Sequence, residues 1–185
     1  MTYLMQLFRR FRRSERGALS VETVIMFPIL LWAYGAMFVY WDIYKTLNMN
    51  LKATYTIADL ISREPDPMTP AYIDGASGIY RYLLRSQDDG DIRVTVVSMD
   101  SDAVTGAPFL KFEWSYGTAG LPSRTDLTGI IGEIPIMALG DNLIIVESSV
   151  PWDPPMLFGL EPRQITNRVF TSPRFVPQVL CTGCA

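Results

Sequence analysis

Between Thr23 and Trp41 the chain carries 19 consecutive residues without a charged side chain. Wound as an α-helix at about 1.5 Å per residue, that run is roughly 28 Å long, close to the ~30 Å hydrocarbon core of a bilayer. The expectation is one membrane-spanning helix. Its flanks set the direction. Arg9, Arg10, Arg12, Arg13 and Arg16 precede it with only Glu15 against them, while Asp42 and Lys45 follow. Arginines gather on the cytoplasmic side, so the N-terminus is expected inside and everything after Trp41 outside the cytoplasm. A secretory signal peptide shares the basic start and the apolar run. The run here is longer than the usual signal core of about 7–15 residues, and WDIYKTLNMN follows it in place of a small-x-small cleavage site.

The 144 residues after Trp41 suffice for one domain with a modest core. The formal net charge of −3 hides an asymmetry. Residues 1–17 hold five arginines and Glu15; the remainder has 11 basic and 18 acidic side chains, a net of −7. Such a surface does not neutralise phosphates, and no nucleic-acid partner is expected. Beside a membrane span, the basic run at 9–16 reads as a topology signal and a contact for anionic lipid.

Beyond the span, Ile43, Leu47, Leu51, Tyr55, Ala58 and Ile61 recur at helical spacing, with Lys45, Asn48, Lys52, Thr56 and Asp59 on the other face. No Gly or Pro intervenes before Pro65, so a single rod from Ala18 to Ser62, about 68 Å long, is predicted. Its stripe has two readings: packing on the domain below, or packing against helices of other subunits. Pro70 to Ser86 reads as a second helix, weakened by Gly75 and Gly78. Strands are predicted at 90–99, 108–117 and 142–152, with a fourth at 163–172. In the second of these, Leu110, Phe112, Trp114 and Tyr116 alternate with Lys111, Glu113 and Ser115. Residues 121–131 read as a short helix. Strands following helices imply an α+β domain with an antiparallel sheet. The organisation is therefore a basic leader at 1–17, a helix and its extension at 18–63, and an α+β domain at 64–185.

Catalytic chemistry is scarce. The chain has no histidine, which removes the usual general base and most zinc sites. Lys111, the one lysine past Lys52, falls on the solvent face of a strand, a weak basis for a Ser–Lys pair. The carboxylates at 88–91 and 100–102 lack EF-hand spacing and read as solvated turns. No catalytic residue, metal or cofactor is expected. Cys181 and Cys184 close the chain in LCTGCA. In an oxidising compartment they would pair with each other; free thiols and intermolecular pairing are the alternatives.

Glu22 remains. A carboxylate near hydrocarbon costs about 2.5–3.5 kcal/mol or more on insertion scales and usually has a partner. At headgroup level it would simply stay wet. The surrounding pattern is more specific: a basic leader, Gly17, then Ala18-Leu19-Ser20-Val21-Glu22, then SVETVIMFPILL with Pro28 six residues past the glutamate. This resembles the type III signal of prepilins, most closely that of the TadE/TadF-like pseudopilins of the tight adherence (Flp) pilus system. The likeness covers roughly residues 13–45.

The resemblance implies cleavage between Gly17 and Ala18 by a membrane prepilin peptidase, making Glu22 the fifth mature residue. It implies a type IV pilin-like architecture, a helix kink at Pro28, and an inner-membrane protein with its domain in the periplasm. The partners it implies are other pilin and pseudopilin subunits, the inner-membrane assembly platform and membrane lipid. On one subunit Glu22 would neutralise the new α-amine of a neighbour's Ala18 and set the axial register. Ala33, Gly35 and Ala36 are small enough for close helix approach. Thr23, where main pilins have tyrosine, and the attached domain favour a minor pseudopilin. An uncleaved single-pass scaffold or sensor and a membrane-anchored enzyme are the competing readings.

Overall fold

The apolar run and its extension form one helix, α1, Arg16–Ser62, of 47 residues, continuous through Pro28. The computed structural model describes residues 16–84, 90–156 and 158–184, with side chains in α1 from Val21 onward. Arg9, Arg10, Arg12, Arg13, Asp88 and Asp89 lie outside the described residues. A second helix, α2, runs Pro70–Leu84. Thr69 caps it, its hydroxyl accepting from the Tyr72 N–H at 3.2 Å, and Pro70 fills the first position, where no N–H is needed. Gly75 and Gly78 face open space, so they weaken α2 without breaking its packing. Four strands follow: β1 Asp91–Ser101, β2 Pro108–Gly117, β3 Asn142–Trp152 and β4 Arg163–Thr171. They form an antiparallel sheet in the order β2-β1-β3-β4. The layout is α+β, and the strand bounds fall within two residues of those predicted.

The chain divides into two compact units. One holds the described residues up to Asp42 together with 154–161; the other holds Ile43–Asp153 and the residues from Pro162 on.

In the second unit, one face of the sheet presents Ile92, Val94 and Val96 of β1 beside Ser148, Val146 and Ile144 of β3. All are buried. This face meets the extension of α1, where Ser148 bonds to Asn50 and Thr54. The buried side of the extension is Asn50, Ala53, Thr54, Ile57, Ala58, Ile61 and Ser62. The predicted stripe is therefore only half right: Ala58 and Ile61 are inside, while Leu47, Leu51 and Tyr55 are exposed by 40, 38 and 57 %. Small and hydroxyl-bearing residues let the helix lie close to the sheet and bond to it. Ile57 and Ile61 go inside with them, while Leu47, Leu51 and Tyr55 turn outward, as does Tyr44.

The opposite face is covered by the 118–141 connection. Val97, Leu143 and Ile145 from the sheet and Ile130 from the connection make a buried cluster, lined by Leu110, Leu127, Ile134, Met137 and Phe170. No helix forms at 121–131. The chain takes successive turns, with Gly129 at φ 83°, a left-handed conformation that ends any helix there. A second departure is in β2. The β1–β2 register slips at Val96/Val97, so Trp114 pairs with Val96 but Phe112 with Val97, leaving Glu113 as the extra residue of a bulge. The bulge reverses the alternation. Leu110 joins the cluster under the connection, whereas Trp114 and Tyr116 stand on the helix side, where the Tyr116 hydroxyl bonds to Asp74 of α2.

The C-terminal segment ties these parts together. The Arg174 N–H donates to the Ser62 carbonyl, Asn142 Nδ2 to the Pro177 carbonyl, and Trp114 Nε1 to the Val179 carbonyl. Met68 and Cys181 form a parallel bridge, and Cys181 is disulfide-bonded to Cys184.

Candidate assembly surfaces

Ala18 and Glu22 are four residues apart in α1, hence neighbours on one helical face. From there the helix surface is open and apolar. Val21, Val24, Phe27, Leu30, Leu31 and Tyr34 are each more than half exposed. Only 11 % of the most apolar window is buried, so this stretch of α1, unlike the extension that packs on the sheet, is not part of the core. It is long and apolar enough to cross a membrane. Pro28 has no N–H to offer the carbonyl of Val24, one turn back.

One side of this apolar stretch is covered, and by its own chain. Gly35 and Val39 are buried, and Phe158 from the β3–β4 connection lies over Gly35. A Cβ at Gly35 would overlap the Phe158 ring. Trp32 meets the same ring edge-on, with centroids 6.3 Å apart. Of the small residues read as room for a neighbouring helix, Gly35 is thus occupied by Phe158, while Ala33 is exposed and Ala36 half-buried.

Where α1 meets the sheet, Asn50 is the hub. Its Oδ1 accepts from the Tyr80 hydroxyl at 2.7 Å and from Ser148 at 2.9 Å, and its Nδ2 donates to the Ile165 carbonyl at 3.1 Å. Thr54 and Ser148 share a 2.7 Å hydrogen bond. Burial pushes the Tyr80 phenol up to about 12; the Ser148 hydrogen bond opposes this and Asp91 adds to it. All these groups are buried and satisfied, so they fix one seating of the helix on the sheet.

On the far face, Glu147 gathers three arginines from three parts of the chain. Arg93 Nε lies 2.6 Å from Oε2; Arg124 forks onto both oxygens at 2.9 Å; Arg168 Nη2 reaches Oε1 at 2.8 Å and also pairs with Glu133. Burial works to raise the Glu147 carboxyl, but hydrogen bonds from Arg124, Arg93 and Arg168 outweigh it and bring the group down to about 2. The cluster borders a cleft of about 520 Å³. Three guanidiniums against two carboxylates leave it one positive charge. It contains no nucleophile next to a base, and each arginine is already engaged. It joins β1, β3, β4 and the connection, and no reading of the sequence brought these four residues together.

Other residues singled out in the sequence have ordinary partners. Lys111 pairs with Glu113 at 3.0 Å. Asp91 takes a hydrogen bond from Thr118 at 2.9 Å and lies 3.5 Å from Arg81. Asp102 caps its own hairpin through the N–H groups of Val104 and Thr105. Comparison of the chain with protein-family models, curated proteins and solved structures finds no match in any of the three.

Proposed function

We propose that the chain is a minor pseudopilin of the tight adherence kind. In this reading a prepilin peptidase cuts after Gly17. The leader stays in the cytoplasm, α1 sits in the inner membrane, and the sheet domain, pilin-like in its architecture, stands in the periplasm. Its work is protein contact with other pilin and pseudopilin subunits on the assembly platform, not catalysis.

The observation that carries this reading is the Ala18–Glu22 pair, one turn apart at the start of a helix whose apolar surface is open. Cleavage would place a cationic amine beside that carboxylate on an adjacent subunit, and each would offset the other's desolvation. The exposed ridge of Tyr44, Leu47, Leu51 and Tyr55 continues the apolar surface beyond the span and suits helix-to-helix contact between subunits.

The test is co-expression of the full chain with a prepilin peptidase, followed by intact-mass and N-terminal analysis. A product beginning at Ala18 is expected. A chain still beginning at Met1 would sink the reading in favour of an uncleaved envelope scaffold. Glu22→Ala should be cleaved normally and fail to assemble; normal assembly would remove the role given to the carboxylate.

A further inference from the structure

The β3–β4 connection reads WDPPMLFGLEP, with no charge between Asp153 and Glu161. Its residues 154–161 belong to the same compact unit as the membrane helix, not to the sheet from which they emerge. The seat of Phe158 gives their depth. Gly35 lies six residues, or about 9 Å, inward from Trp41 along α1. Tyr40, Trp41 and Tyr44 are all exposed and form the kind of aromatic belt found at a membrane boundary. The Phe158 ring therefore stands about 9 Å below that belt, within the ~5–10 Å range of elements lying in the headgroup and acyl boundary.

The backbone of the loop suits such a place. Pro154 and Pro155 bring no N–H, and the Phe158 N–H is bonded to the Met156 carbonyl at 3.0 Å. Outward the loop offers Met156, half exposed and apolar. Asp153 and Glu161 bracket it with charge, which keeps its ends in water.

We infer that residues 154–156 and 158–160 belong to a membrane-dipping loop, inserted into the extracytoplasmic leaflet beside α1, with lipid acyl chains as the ligand of Met156. This rests on the reading of α1 as a membrane span. The chain then has two attachments to the bilayer, the helix and the loop.

The test uses single cysteines in the full chain, reconstituted in phosphatidylcholine vesicles. The two native cysteines are joined to each other, so an introduced thiol is the one that reacts. An environment-sensitive fluorophore is placed at Met156→Cys, at Leu31→Cys in mid-span, and at Val104→Cys on the β1–β2 hairpin, where Val104 is 93 % exposed. Nitroxide on the acyl chains should quench the probes at 31 and 156, and aqueous iodide only the probe at 104. If the probe at 31 is lipid-quenched while that at 156 responds to iodide as 104 does, the loop inference is overturned and the span stands. If iodide reaches the probe at 31, the span fails and the inference with it.

Discussion

Arg93 and Glu147 face each other directly across the β1–β3 ladder, with Nε 2.6 Å from Oε2 and both side chains nearly buried. A charge pair in that position is hard to dismantle by halves. Removing the carboxylate leaves three largely buried guanidiniums gathered around one site, of which, among the described residues, Arg168 alone keeps a second carboxylate, Glu133.

Glu147→Ala should therefore be among the most damaging single changes in the domain. The expected loss is about 3–5 kcal/mol, as for breaking a buried ion pair by deleting one member. Chemical denaturation of the full chain in detergent, followed by tryptophan fluorescence, measures it. A loss comparable to that of an exposed ion pair would show the cluster to be ornamental.

The same carboxylate makes stability depend on pH. Its folded value of about 2 lies below its ordinary 4.5, so the folded state favours the ionised form. The contribution is fully present above 4.5 and is lost as pH falls through the folded value of about 2, below which both states are protonated. Thermal unfolding across this window should show a steep decline in the parent chain. Glu147→Gln should flatten it, and equal slopes would refute the assignment.

Gly35→Leu would place a side chain in the volume now held by Phe158. Overpacking of this kind costs about 1–3 kcal/mol. Phe158→Ala in the same chain should restore much of the loss. The unfolding midpoints of both single variants and the double variant, compared in micelles, decide it; additive losses would mean the two residues do not meet.

Leu51→Glu alters the exposed ridge at a position 38 % open to solvent. Domain stability should stay within about 0.5 kcal/mol of the parent, as for surface changes generally. On the proposed function, association with pilin and pseudopilin subunits, read by co-purification, should fall. Unchanged association would remove the ridge from the interface.

How legible these features were varies with the range of the interactions that create them. The rod and the four strands follow from local periodicity. Even the fourth strand, Arg163–Thr171, is visible as a short apolar–polar pattern. Periodicity could not say which side of the α1 extension is buried, because Asn50 and Thr54 go inside on the strength of hydrogen bonds to Tyr80 and Ser148, residues 30 and 94 positions away. It misjudged β2 for a similar reason. One extra residue, Glu113, reverses the alternation, and the bulge shows only in pairing with β1. The Glu147 cluster left a faint mark: Arg93 and Glu147 are charges that follow or interrupt apolar runs of β1 and β3, and Arg168 stands just before Val169 and Phe170 in β4. Their convergence with Arg124 needs the folded connection.

The C-terminal ribbon has a mechanical consequence. It clasps Ser62 at the end of the rod, Met68 just beyond it, Asn142 on β3 and Trp114 on the edge strand β2. Tension drawn along the rod therefore reaches the sheet through several attachments at once. Hydrogen bonds loaded side by side must yield together, whereas a domain hung by a single thread would unzip one bond at a time.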